Sequence, residues 1–229
     1  MADTATVTSR GSNAPLARLG QIPPRTAALA GGVTIAVFAV LGTAYAEAKD
    51  GGIVPSWFRV LPVGLNGEGT LPAIFSGLLL LAAGLLSFRA SEVLGRPDER
   101  YAPLVVLGTV FTFMAFDEVF AIHERLEEII QQAWWKFYAP IAVVAGVCAV
   151  LVLRRVWSNV QVRTGFLAGG VCWLVAQLVE AQQYDGDVLV HRWTILPEET
   201  LEMTGSLLFV LALLVVVQSA SRAPEATHP

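Results

Sequence analysis

Charge is scarce in this sequence. Only 15% of its 229 residues are Asp, Glu, Lys or Arg, against 55% hydrophobic, and the mean hydropathy is +0.60. Soluble domains carry about 25% charge. The composition therefore excludes an ordinary water-soluble fold and points to an integral membrane protein. No basic tract interrupts the chain and the net charge is −4, which argues against nucleic acid as a partner. Gly and Pro occur without repetition, so no collagen-like or low-complexity segment is present.

Cysteine and histidine are nearly missing. Cys148 and Cys172 both lie in apolar runs, where they read as small buried residues, and there is no Cys-x-x-Cys and no Cys/His zinc pattern. The three histidines are His123, His191 and His228. One histidine at membrane depth is too few for a desaturase-type site, a bis-histidine haem, or a membrane hydrolase built on serine, aspartate and a three-histidine zinc site. No Glu-x-x-His occurs, which removes the ferritin-like di-iron pattern. No His-Glu-x-x-His, Gly-x-Ser-x-Gly or glycine-rich phosphate loop occurs either.

What is present is a series of long apolar runs, at about 26–47, 71–90, 102–123, 137–154, 164–184 and 198–219. A spanning helix needs roughly 20 mostly apolar residues. Backbone groups in lipid must be paired within helices or closed barrels. Continuous rather than alternating runs select helices. The sequence thus predicts an all-α, polytopic bundle of six transmembrane helices in one domain, 24–220, between a polar tail at 1–23 and another at 221–229. "GTAYAEA" at the end of the first run resembles a signal-peptidase site, but the run and its leader are both long for a signal peptide, and the reading is a true span. "LAGGVTI" and "LAGGVCW" echo each other, which common span composition also explains.

Ten Lys and Arg fall on one side of this topology, at 10, 18, 25, 89, 96, 100, 154, 155, 163 and 222. Five fall on the other, at 49, 59, 125, 136 and 192. The positive-inside rule then places both termini in the cytoplasm of a multi-pass protein of the cell (inner) membrane. Loops 48–70, 124–136 and 185–197 face outward. Trp57, Trp134, Trp135 and Trp193 in or beside them suit an interfacial aromatic belt.

Against this background "TFMAFDEVFAIHER", residues 112–125, is unexpected, because Asp117, Glu118, His123 and Glu124 follow directly on span sequence. At 1.5 Å per residue, Asp117 stands roughly 24 Å above Tyr101, close to the outer edge of a ~30 Å core. Glu180 of the fifth span and Glu202 of the sixth reach roughly the same height. His123, Glu124, Glu198, Glu199, Tyr184 and Glu47 fall just above. At about 100° per residue, Asp117, Glu124 and Glu128 share a stripe. His123 lies roughly 120° round, so it reaches Asp117's site only where the helix end bends or unwinds. Glu118 shares a neighbouring face with Arg125. Glu202 lies between Glu198 and Glu199 in angle, with Gly205 and Ser206 nearby, and Gln177, Glu180 and Tyr184 share a face.

Carboxylates near helix ends commonly serve as caps or solvated surface, and Glu47, Asp50, Glu127, Glu128, Glu198 and Glu199 are open to that reading, as His123 is to that of a plain interfacial histidine. Asp117, Glu180 and Glu202 lie inside apolar runs that contain no Lys or Arg at their depth, and such groups mark functional sites. Crowded carboxylates need either protons or a cation. The metal-ligand set read from the sequence is Asp117, Glu118, His123, Glu124, Glu180, Glu198, Glu199 and Glu202. Its oxygen-rich, single-histidine character suits a divalent metal ion such as Mg²⁺, Ca²⁺ or Mn²⁺, with iron or zinc as further candidates. Three classes of function remain open. One is a metal-dependent enzyme acting on a membrane lipid or lipid-linked substrate. The second is a cation or proton transporter or a sensor. The third is an accessory subunit with a membrane protein partner, and a homo-oligomer is compatible with any of the three.

Overall fold

The computed structural model describes residues 20–50, 70–95, 100–130, 135–180, 182, 184–185, 188–189 and 194–221. Trp57, Trp134, Trp193, His191, His228, Arg59 and Arg192 lie outside them, as do the outermost parts of both tails and the side chains of Glu124, Glu127, Trp135 and Tyr184. The described residues form seven helices: α1 (Pro24–Asp50), α2 (Leu71–Leu94), α3 (Ala102–Phe120), α4 (Ile122–Ile130), α5 (Trp135–Arg155), α6 (Val160–Glu180) and α7 (Ile195–Ser221). All but α4 are long and apolar enough to cross a membrane. Tyr184–Asp185 and Val188–Leu189 pair as a two-residue antiparallel ladder between α6 and α7, too short to alter the all-α class.

Local sequence sets several of the ends. Thr70 precedes α2, its hydroxyl accepting from Ala73 N at 3.4 Å, and Pro72 occupies the first turn, where a missing N–H costs nothing. Pro103 does the same for α3. The helix α7 begins at Ile195, two residues before Pro197. Proline is still tolerated there because the first helical N–H groups have no intrahelical acceptor.

The core is built on two close helix pairs, α2 with α3 and α6 with α7, joined by contact of α2 with α7. Helix α1 packs on α7, and α5 leans on α3. Each pair crosses at reciprocal glycines. A Cβ added to Gly84 would lie 3.0 Å from Gly108 O, and one on Gly108 3.1 Å from Gly84 O. Gly169 and Gly205 stand in the same relation at 3.0 and 2.9 Å. Small residues permit this backbone approach, which is how helices associate where lipid supplies no hydrophobic drive.

The burial pattern is inverted relative to a soluble protein. Large apolar side chains cover the outside, among them Leu29, Val40, Val143, Val147, Leu174 and Leu178, while Asp117, Glu202, Ser76, Ser87 and Ser206 are buried. The main apolar core runs through Leu80, Leu86, Leu104, Phe111, Val152, Val162, Leu213 and Leu214 toward the end that carries Tyr101 and Arg155. Tyr101 Oη donates to Leu151 O there, and Gln218 Nε2 donates to Gly20 O and Ile22 O. The buried acidic residues sit at the opposite end.

One boundary departs from the sequence-based expectation in a way that matters. The third span ends at Phe120 rather than 123. Ala121 adopts the left-handed conformation, φ 50° and ψ 49°, its N–H bonding to Asp117 O at 2.8 Å. Residues 122–130, expected as outer loop from 124 onward, then form α4. No glycine or proline marks this break, so apolar periodicity alone runs through it.

Candidate metal centre

Helix α7 supplies most of the centre. Glu198, Glu199 and Glu202 occupy its first two turns and converge on one side, as a 100° step requires. Glu202 is 9% exposed; Glu198 and Glu199 are half-buried. Two neighbouring helices each add one carboxylate, Glu118 from the end of α3 and Glu180 from the end of α6. Carboxylate oxygens of Glu118, Glu199 and Glu202 lie within 4.8 Å of one another, and so do those of Glu180, Glu198 and Glu202. Five carboxylates from three helices thus form two triads that share Glu202.

The packing beneath explains why they meet. Gly205, one turn below Glu202, lets α6 come against α7. Trp173 Nε1 donates to Ser206 Oγ at 3.2 Å across that contact. Gln177, on the inward side of α6, donates through Nε2 to Glu202 Oε1 at 3.0 Å. Gly77 performs the corresponding service for α3: a Cβ there would meet Val119, Ala115 O and, at 3.8 Å, Glu118 Cβ. Helix α2 therefore closes directly on the turn that carries Glu118.

Asp117 and His123 form a different constellation. One step along α3 from Glu118 turns Asp117 toward α5, where Tyr138 Oη donates to Asp117 Oδ1 at 2.8 Å. The break at Ala121 brings the chain back over the end of α3. His123 N donates to Asp117 Oδ1 at 2.8 Å, and His123 Nδ1 stands 3.1 Å from Oδ2. This is the unwinding that the angular separation of the two residues demands. An ionised carboxylate only accepts, so the contact assigns the proton to Nδ1 and leaves the lone pair of the neutral ring on Nε2. In that tautomer Nε2 is the nitrogen through which the imidazole acts as base or metal ligand.

The eight sequence-based ligand residues are thus sorted. Glu118, Glu180, Glu198, Glu199 and Glu202 come together. Asp117 pairs with His123. Glu124 has a backbone place in α4, its side chain lying outside the described residues. Glu118 enters the main cluster rather than only a local network with Arg125, because Gly77 and α7 flank its face of α3. Tyr138 carries no signal in the sequence that separates it from the other aromatics of the chain. Cys148 is buried and Cys172 half-buried, and both are free thiols.

The chemistry available is oxygen-donor binding of a hard cation at the triads and, separately, an imidazole oriented by Asp117. No curated protein and no solved structure matches the chain. The sequence model of one family, described as "Domain of unknown function (DUF8692)", matches residues 26–217, nearly the whole helical region, and the chain belongs to that family.

Proposed function

We propose that the protein is a divalent-cation-dependent membrane enzyme acting on a lipid or lipid-linked substrate. Glu118, Glu180, Glu198, Glu199 and Glu202 hold the cation, and His123, oriented by Asp117 and Tyr138, is the acid–base group. The observation that carries this reading is the convergence of five carboxylates from three helices on buried Glu202. Carboxylates so close cannot all stay ionised unaided, and either protons or a cation relieve them. An all-oxygen set suits Mg²⁺, Mn²⁺ or Ca²⁺. Such an ion, when bound, polarises a phosphoryl or carbonyl oxygen and lowers the pKa of bound water. The chain's own part is to hold the carboxylates, fix the imidazole tautomer and keep the opposite half of the bundle dry.

In this reading the metal centre faces the extracytoplasmic side and both termini are cytoplasmic, in the cell membrane. The arginines at 89, 100, 154, 155 and 163, all at the opposite end of the bundle, support that orientation. The helical domain is the membrane unit, and the tails flank it. Transport of the cation is the second reading. It is disfavoured by the fully buried apolar side chains Leu80, Leu86, Leu104, Leu213 and Leu214, which offer no second half of a pathway.

Elemental analysis of detergent-purified protein after Mn²⁺ loading tests the proposal. Metal is expected in the wild type and lost in Glu202→Gln. Metal-free wild type, or a Glu202→Gln variant with unchanged metal, sinks it. Loss of turnover on His123→Ala with metal retained is expected once a lipid-linked substrate is assayed. Cation flux in liposomes that disappears with Glu202→Gln instead establishes transport.

A further inference from the structure

We infer that the centre holds two cations, bridged by Glu202, and that the Ser76 hydroxyl is a neutral ligand on the Glu118 side. The inference rests on the metal-site reading above and sharpens it. Its starting point is that the carboxylates form two triads rather than one group. Glu118 and Glu199 meet Glu202 on one side, and Glu180 and Glu198 meet it on the other. A carboxylate has two oxygens and bridges two cations about 3.5–4 Å apart.

Ser76 is an independent observation. It is 1% exposed, and its Oγ has no hydrogen-bond partner among the described residues. A buried hydroxyl left so costs about 1–3 kcal/mol, although a helical serine can often bond back to its own preceding turn. Its direction follows from its neighbours on α2. Phe75 packs against the small cluster that Ile35, Met203 and Leu207 form between α1 and α7. Gly77 faces Ala115, Glu118 and Val119 of α3. Ser76 lies 100° from each, on the inner side, with exposed Ile74 and Leu78 behind it. It is therefore aimed between α3 and α7, roughly 3 Å along the bundle from Glu118 in the register that sets Gly77 against Ala115. Ser87, the other buried hydroxyl without a partner, stands roughly 16 Å farther along α2, in the apolar core.

The test is Mn²⁺ stoichiometry and electron paramagnetic resonance on full-length protein in detergent or nanodiscs. Wild type is expected to bind two Mn²⁺ per chain and to show an exchange-coupled spectrum. Glu118→Gln and Glu180→Gln are each expected to retain one uncoupled ion, and Glu202→Gln none. Ser76→Ala, which removes a buried polar atom and so does not threaten the fold, is expected to weaken one of the two ions at least about tenfold, the scale seen when a group supporting a metal site is lost. Ser76→Thr restores it. One ion per chain in wild type overturns the bridged pair while leaving the metal-site reading standing. No ion at all overturns both. Two ions with unchanged affinity in Ser76→Ala overturn the assignment of Ser76.

Discussion

Ala121 decides where His123 points. An L-residue in the left-handed region costs about 1–2 kcal/mol, and the return is the pair of contacts from His123 to Asp117. Ala121→Gly is expected to be neutral or to stabilise by up to about 1 kcal/mol, since glycine meets that conformation freely but gives up a buried methyl. Ala121→Val is expected to destabilise by at least about 1–2 kcal/mol, because a branched Cβ is worse placed there. Thermal unfolding in a fixed detergent separates the two. Tyr138→Phe removes one donor from the Asp117 carboxylate and is expected to cost about 1.5–3 kcal/mol. Asp117→Asn is expected to leave Mn²⁺ binding unchanged where Glu202→Gln abolishes it, and titration of both variants checks that the two constellations are separate. At this scale the sequence was legible in part. The depth of Glu180 and Glu202 followed from helix rise, and the convergence of Glu198, Glu199 and Glu202 from the angular step. The partition of Asp117 from Glu118 did not, because adjacent residues on a helix face different neighbours and only the packing says which neighbours those are.

Among the elements, the α6–α7 crossing bears most directly on the centre. A Cβ on Gly205 would stand 2.9 Å from Gly169 O and 2.6 Å from Trp173 Cδ1. Backbone cannot yield as a side-chain tip does. Gly205→Ala is expected to cost about 1–3 kcal/mol, the range for overpacked sites, and to lower metal affinity by displacing Glu202 relative to Glu180. Gly170, on α6 beside Gly169 with nothing within 4 Å, is the control: Gly170→Ala is expected to leave metal affinity unchanged and not to destabilise. Unfolding temperature and Mn²⁺ titration read both effects. Six runs of hydropathy named the spanning helices to within a few residues at most ends. Helix α4 escaped because its length is below a span and its start has no proline, glycine or capping serine. Its exposed Ile129 and Ile130 beside exposed Arg125 and Glu128 are the pattern of a helix lying along an interface.

For the molecule as a whole, metal and fold are expected to be linked. A ligand bound only by the native state stabilises it by about 2.7 kcal/mol at a hundredfold excess over Kd. Mn²⁺ is expected to raise the melting temperature of wild type and not of Glu202→Gln, and chelation to reverse the rise. The overall class was open to sequence because a low charge fraction and long apolar runs admit few other outcomes. The order of packing was not, since every span offers small residues and, among the described residues, two pairs use glycines for reciprocal contact. A last consequence follows from the largely apolar half of the bundle, from Leu80 and Leu104 to Leu213 and Leu214. In the proposed orientation it is an insulator, and the metal is expected to exchange with the solution of one compartment only. An impermeant chelator should strip the metal from sealed vesicles of one sidedness and leave it untouched in vesicles turned inside out.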